Sequence, residues 1–264
     1  MADPTNLSES LVKFQREHPG WYWTEDGKLK RGETNPAAET PWSYHKMTFQ
    51  CVKWHEIFFD YVSKQRMVHS HCQQCFKVVI MPRTLEELME LDNWQLTTGF
   101  ECKCGIELRE FVKTKRLYGG YFYNRGIEEG REKYKIVKAW ADDVHFRQTE
   151  LFTVFHSDPM PVILKLGCTE FERALGDSKK YKMEDGQEEI EAALDDMLDF
   201  DPFLPEGKEE FPQPESLKQF VKLAWLRWAH QHGDMTYLRY MPEGKPFEAV
   251  PAYYTPPAAT YHEE

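Results

Sequence analysis

A chain of 264 residues is long enough for one large domain or two modest ones. Its hydrophobic share of 41% and aromatic share of 14% support a packed core and exclude general disorder. The formal net charge of -11 repels nucleic acid and anionic lipid at long range, which disfavours wholesale nucleic-acid binding but leaves room for a local basic patch. Residues 1–19 lack the apolar centre of a secretory signal, and no stretch approaches the ~18 apolar residues of a membrane span. The expectation is therefore a cytoplasmic protein with no membrane partner.

In chain order, residues 5–18 place Leu7, Leu11 and Phe14 at helical spacing, with Ser8 near the start. Residues 20–43 read as an irregular arm whose Trp21-Tyr22-Trp23 packs on the body or on a partner. A strand over 47–52 and a helical segment over 57–62 follow. Phe76 to Met81 is β-rich and ends at Pro82. Thr84-Leu85-Glu86-Glu87 is a capping box and opens a helix from 85 to about 94. Alternation predicts a strand over 106–112, and 118–123 is an aromatic strand or turn to which Gly119-Gly120 lends backbone freedom. Ile127 to Trp140 is helical, with Glu129 and Lys133 paired along it. Strands are expected at 151–155 and 162–166, then a short helix capped by Thr169 and stopped by Gly176. Acidic residues dominate 184–215, where Ile190, Leu194, Met197 and Leu198 keep a helical stripe and four prolines make a linker. A strongly apolar helix from Leu217 to His230 and a Pro- and Tyr-rich tail complete the chain.

Six cysteines include two close pairs, Cys72-x2-Cys75 and Cys102-x-Cys104-Gly105. In a reducing compartment, close pairs read as metal ligands and not as disulfides. Two chelating turns can complete a tetrahedron around one ion, and Gly105 suits the tight turn after a metal knuckle. Over residues 72–105 the pattern resembles the two knuckles of a zinc ribbon. That resemblance implies zinc held by Cys72, Cys75, Cys102 and Cys104. A closed four-thiolate site leaves no position for water, so the metal is structural. The single-residue spacing of the second pair departs from the knuckle pattern and keeps an iron–sulfur cluster open as the alternative. His69 and His71 flank the first pair, either as substitute ligands or as exposed loop residues.

Weaker signals surround this motif. Lys113, Lys115, Arg116 and Arg125, interleaved with Tyr121 and Tyr123, suit phosphate contact and base stacking, or else a strand beside a solvated helix. The string from Tyr118 to Gly126 leads into a helix N-terminus, where anions are favoured. Cys168 stands at a strand-to-helix junction that can activate a thiol, though a lone cysteine is more often inert. Cys51 and His55 would share a helix face.

The fold class expected is α+β. A small antiparallel β region surrounds the four-cysteine site, with flanking helices and extended terminal arms. The segments are 1–45 (helix and aromatic arm), 46–180 (metal-binding core), 181–215 (acidic helix and linker) and 216–264 (Trp-rich helix and tail). The functional expectation is a metal-binding accessory or assembly subunit acting on a protein partner, with no catalytic residue assigned. The alternatives are an iron–sulfur redox or cofactor-handling protein and a zinc-ribbon nucleic-acid binder using residues 109–138.

Overall fold

The computed structural model describes residues 7–32, 41–48, 57, 68–108, 116–150, 158–199 and 213–241. The expected strand beyond Thr48, the helical segment beyond Ile57, Cys51 and His55, Lys113 and Lys115, the strand at 151–155, most of the proline linker and the tail lie outside these residues. Among the described residues the fold is mixed helix and antiparallel sheet, consistent with an α+β protein, and no helix is long and apolar enough to cross a membrane.

Helix α1 (Leu7–Glu17) buries Leu7, Leu11 and Phe14, as their spacing predicts. The described first half of the arm after it is regular. Strands β1 (Trp21–Trp23) and β2 (Leu29–Arg31) form a hairpin with Trp21 opposite Arg31. Its turn holds Asp26-Gly27, with Gly27 at φ 80° and Thr24 Oγ1 accepting from Lys28 N at 3.0 Å. Asp-Gly is a standard hairpin signal and would have revealed this element. Trp21 and Leu29 join the α1 residues and Ile190, Leu194 and Leu198 in one apolar cluster. The last three belong to, or directly follow, the acidic helix that we label α6 (Gln187–Met197).

The main sheet has the order β3-β5-β6-β4-β7, with every neighbouring pair antiparallel. Its strands are β3 (Trp42–His45), β4 (Phe76–Ile80), β5 (Cys102–Ile106), β6 (Tyr118–Asn124) and β7 (Val162–Leu166). The short helix α2 (Ser70–Gln73) precedes β4. Helix α3 (Leu85–Thr98) starts as the capping box requires, with Thr84 Oγ1 accepting from Glu87 N at 3.2 Å. The Glu87 carboxylate reaches back one residue further than the motif specifies, to Arg83 N at 2.6 Å.

Helices α3, α4 (Ile127–Glu150) and α7 (Glu215–Gln231) supply the residues that cover one face of the sheet: Leu88 and Leu91, Val137 and Val144, Val221 and Trp225. The opposite face carries Cys75, Val79, Tyr121 and Tyr123, packed with Met47, Trp42 and Tyr44. Helix α5 (Thr169–Leu175) follows β7, with Cys168 in the cap position and Gly176 ending it at φ 91°.

Two glycine readings change. Gly119 and Gly120 lie inside β6, and Gly120 is needed for space, because a Cβ there would meet Leu91 and Ile80 side-chain atoms at 2.5 and 2.7 Å. Gly105 lies inside β5 and not in a turn.

Candidate thiol site

The strand expected to follow the second cysteine pair instead contains it. Cys102 and Cys104 are both in β5, so one intervening residue puts the two thiols on the same face, because side chains alternate along a strand. That face is the helix-covered one, and both side chains are fully buried in the main core. Burial pushes both thiols up, well above the usual cysteine range.

The first pair sits elsewhere. Cys72 is in α2, and the chain turns so that Cys75 N donates to the Cys72 carbonyl at 3.4 Å. The Cys75 carbonyl accepts from Gly167 N at 2.8 Å, which ties the start of β4 to the end of β7 and brings Cys168 beside the pair. Cys75 is buried on the sheet face opposite Cys102 and Cys104, and Cys72 packs against the cluster of Val68, Cys168 and Phe171. Lys77 follows on the Cys75 face, and its Nζ donates to Cys168 Sγ at 2.9 Å and lies 5.3 Å from the Tyr123 ring centre.

The four cysteines expected to share one ion are thus divided between two faces. Cys102 pairs with Phe122, which pairs with Val78, three residues after Cys75. Strand spacing and rise then separate the Cα atoms of Cys75 and Cys102 by roughly 14 Å, whereas thiolates on one zinc sit about 4 Å apart. Among the described residues no three His, Cys, Asp or Glu side chains group as a ligand set for a metal. Strand pairing and core packing hold Cys102 and Cys104 in place. We expect EDTA treatment to leave the melting temperature unchanged within error. A chelator-induced drop of several degrees would place a structural ion here after all.

The thiol that joins the first pair is Cys168. All five described cysteines are thiols. Burial pushes the Cys75 thiol up to about 12, although the Lys77 charge pulls the other way. Burial also works against a charged Lys77, but the surrounding Cys168, Tyr123, Cys75 and Glu170 outweigh it and hold the ammonium above the usual lysine range.

His69 and His71 stack with ring centres 4.9 Å apart, and His69 is not an exposed loop residue. It is buried, with its Nδ1 accepting from His71 N at 3.2 Å and its Nε2 3.6 Å from a Glu191 oxygen. Burial wins over the Glu191 charge and pulls its pKa down to about 4. The unfolded chain, with histidine near 6.5, therefore takes up this proton first, so stability falls as pH drops from 6.5 to 4. We expect this one residue to account for about 3 kcal/mol of acid destabilisation across that window. Urea titrations of wild type and His69→Gln at pH 7 and 4.5 check it, the variant showing the smaller loss.

The described nucleic-acid candidates do not gather on a surface. Arg116, half-buried, donates to the Tyr121 hydroxyl at 2.6 Å and lies 3.4 Å from Glu107, which also accepts from Tyr121 at 2.6 Å, the last two being buried. Tyr123 is buried. Arg125 is exposed, at the rim of a cleft of about 530 Å³ that Glu101, Glu129 and Lys133 also line. Its backbone N–H donates to Glu129 at 2.7 Å, so the N-terminus of α4 is occupied by its own carboxylate and not left open to an anion.

One polar cluster had no sequence signal. Strand pairing places Ser43 and His45 over Asp92 of α3, with Ser43 Oγ 3.3 Å and Asp92 Oδ1 2.9 Å from His45 Nε2. An acyl-transfer relay needs serine and carboxylate on different imidazole nitrogens. Here both meet the same one. The cluster is a buried structural network, completed by Lys222 Nζ at 3.0 Å from the other Asp92 oxygen. Comparison with known protein families, curated proteins and solved structures finds no match.

Proposed function

We propose that this chain is a non-catalytic accessory or assembly subunit that acts in the cytoplasm by binding another protein. The observation that carries this reading is the outer surface of α7. Within α7, Trp225 is fully buried, with its indole N–H donating to the Pro41 carbonyl at 2.6 Å. What faces outward is Phe220, 69% exposed, and Leu223, 44% exposed, at helical i,i+3 spacing. The 3-10 segment Met235–Tyr240, packed on α7, adds exposed Met235 and Leu238. Single exposed apolar residues are ordinary, whereas large ones clustered on adjoining elements mark contact surfaces.

The test is a photo-crosslinking residue placed in turn at positions 220, 223 and 238 in cells, with Lys138 on α4 as control. Protein adducts are expected from the first three and not from the control. Phe220→Glu with Leu223→Glu is expected to abolish the adduct from 238 while the protein stays folded. No adduct from any of the three positions would overturn the reading.

A further inference from the structure

We propose that Cys72, Cys75 and Cys168, with Lys77 beside them, form a thiol–disulfide exchange site in which Cys72 is the entry thiol and Cys75 closes an internal disulfide with it. The substrate class is a disulfide, in a protein or a small thiol compound. This site is separate from the α7 surface and stands or falls independently of it.

The geometry suits the roles. The turn from Cys72 to Cys75 is closed by a backbone hydrogen bond, which holds their Cα atoms within about 7 Å. A disulfide needs about 4.4–6.8 Å. The two thiols are unequal: Cys72 is half-buried and reachable, whereas Cys75 and Cys168 are 8% and 5% exposed. Attack on a partner disulfide therefore falls to Cys72, and the sheltered Cys75 sulfur resolves. Lys77 lies on the Cys75 side of the strand with its ammonium on Cys168 Sγ, a buried cation whose charge favours the thiolate of the resolving Cys75.

The exchange balances. Cys72 loses its proton to solvent, and its thiolate attacks one sulfur of R–S–S–R′. That bond breaks, and R′S⁻ leaves and takes up a proton. Cys75, deprotonated in turn, attacks Cys72 Sγ, the mixed bond breaks, and RS⁻ leaves as RSH. The chain has lost two protons and two electrons, and the partner disulfide has become two thiols.

The full-length protein is equilibrated across oxidised and reduced glutathione mixtures, its thiols are counted, and its disulfides are mapped by peptide mass spectrometry. The expected result is a two-thiol loss in one step, mapped to Cys72–Cys75. Cys75→Ser is expected to accumulate one glutathione on Cys72, and Cys72→Ser to show neither product. Cys168→Ser is expected to form the same bridge at a shifted glutathione ratio. Circular dichroism establishes that each variant is folded. The absence of any two-thiol step, a bridge confined to Cys102–Cys104, or a bridge that moves to Cys168 would each overturn the assignment.

Discussion

Replacing Asp92 with alanine is expected to cost about 3–5 kcal/mol, the usual penalty for removing one partner of a buried charged network. Asp92 is 4% exposed and accepts from His45 while pairing with Lys222. Burial alone would raise its pKa, but the hydrogen bonds from His45 and Ser43 and the Lys222 charge outweigh it and hold the carboxyl far below the usual range. Without the carboxylate, His45 and Ser43 keep their desolvation and lose their acceptor. At roughly 2–4 °C per kcal/mol for a chain of this size, thermal unfolding should fall by about 10 °C. Lys222→Met should cost less, because that lysine is 35% exposed on its side chain. A loss below 1 kcal/mol in Asp92→Ala would show that the network is not held as described. The pH sign follows from the depressed pKa: the carboxylate's contribution is complete above the unfolded value near 3.9 and is lost as pH falls through and below it. It therefore begins to fail where the His69 effect is already finishing.

The second large effect is expected from Gly105→Ala. A Cβ at this position would stand 2.2 Å from the Pro41 carbonyl oxygen and 3.0 Å from Trp42 Cα, both backbone atoms that no rotamer change can move. The same carbonyl accepts the Trp225 indole N–H. Pushing it aside would strain the β3–β5 pairing and leave a buried donor unmatched. Together these should cost about 3 kcal/mol or more. Trp225→Phe, which removes only the hydrogen bond, should cost about 1 kcal/mol. Chemical denaturation of both variants checks the difference, and near-equal losses would refute the steric account.

Local patterns carried much of the fold. Leu7, Leu11 and Phe14, the Thr84 cap and the β-rich 76–80 run each state their element through spacing or side-chain chemistry. The second cysteine pair was legible too, but in a different alphabet: one intervening residue is the period of a strand, not of a metal knuckle. What local pattern could not convey is sheet order. Cys168 reaches the first pair only because β7 runs antiparallel beside β4, and Ser43 and His45 reach Asp92 only because β3 closes the far edge against β5. The Trp-rich helix carries apolar residues on several sides, and only its neighbours decide that Trp225 turns inward while Phe220 does not.

The strand order has a consequence for the nascent chain. Both neighbours of β4 in the sheet, β6 and β7, lie downstream of it in the sequence. At translation speeds of roughly 5–20 residues per second, the stretch from Ile80 to Val162 takes roughly 4–16 s to synthesise. For that interval Val78, Val79 and Ile80 wait on a strand with at least one bare edge, a template for pairing with another chain. Lys77 near its head and the Pro82-Arg83 break just past its end are residue types that oppose such pairing during synthesis.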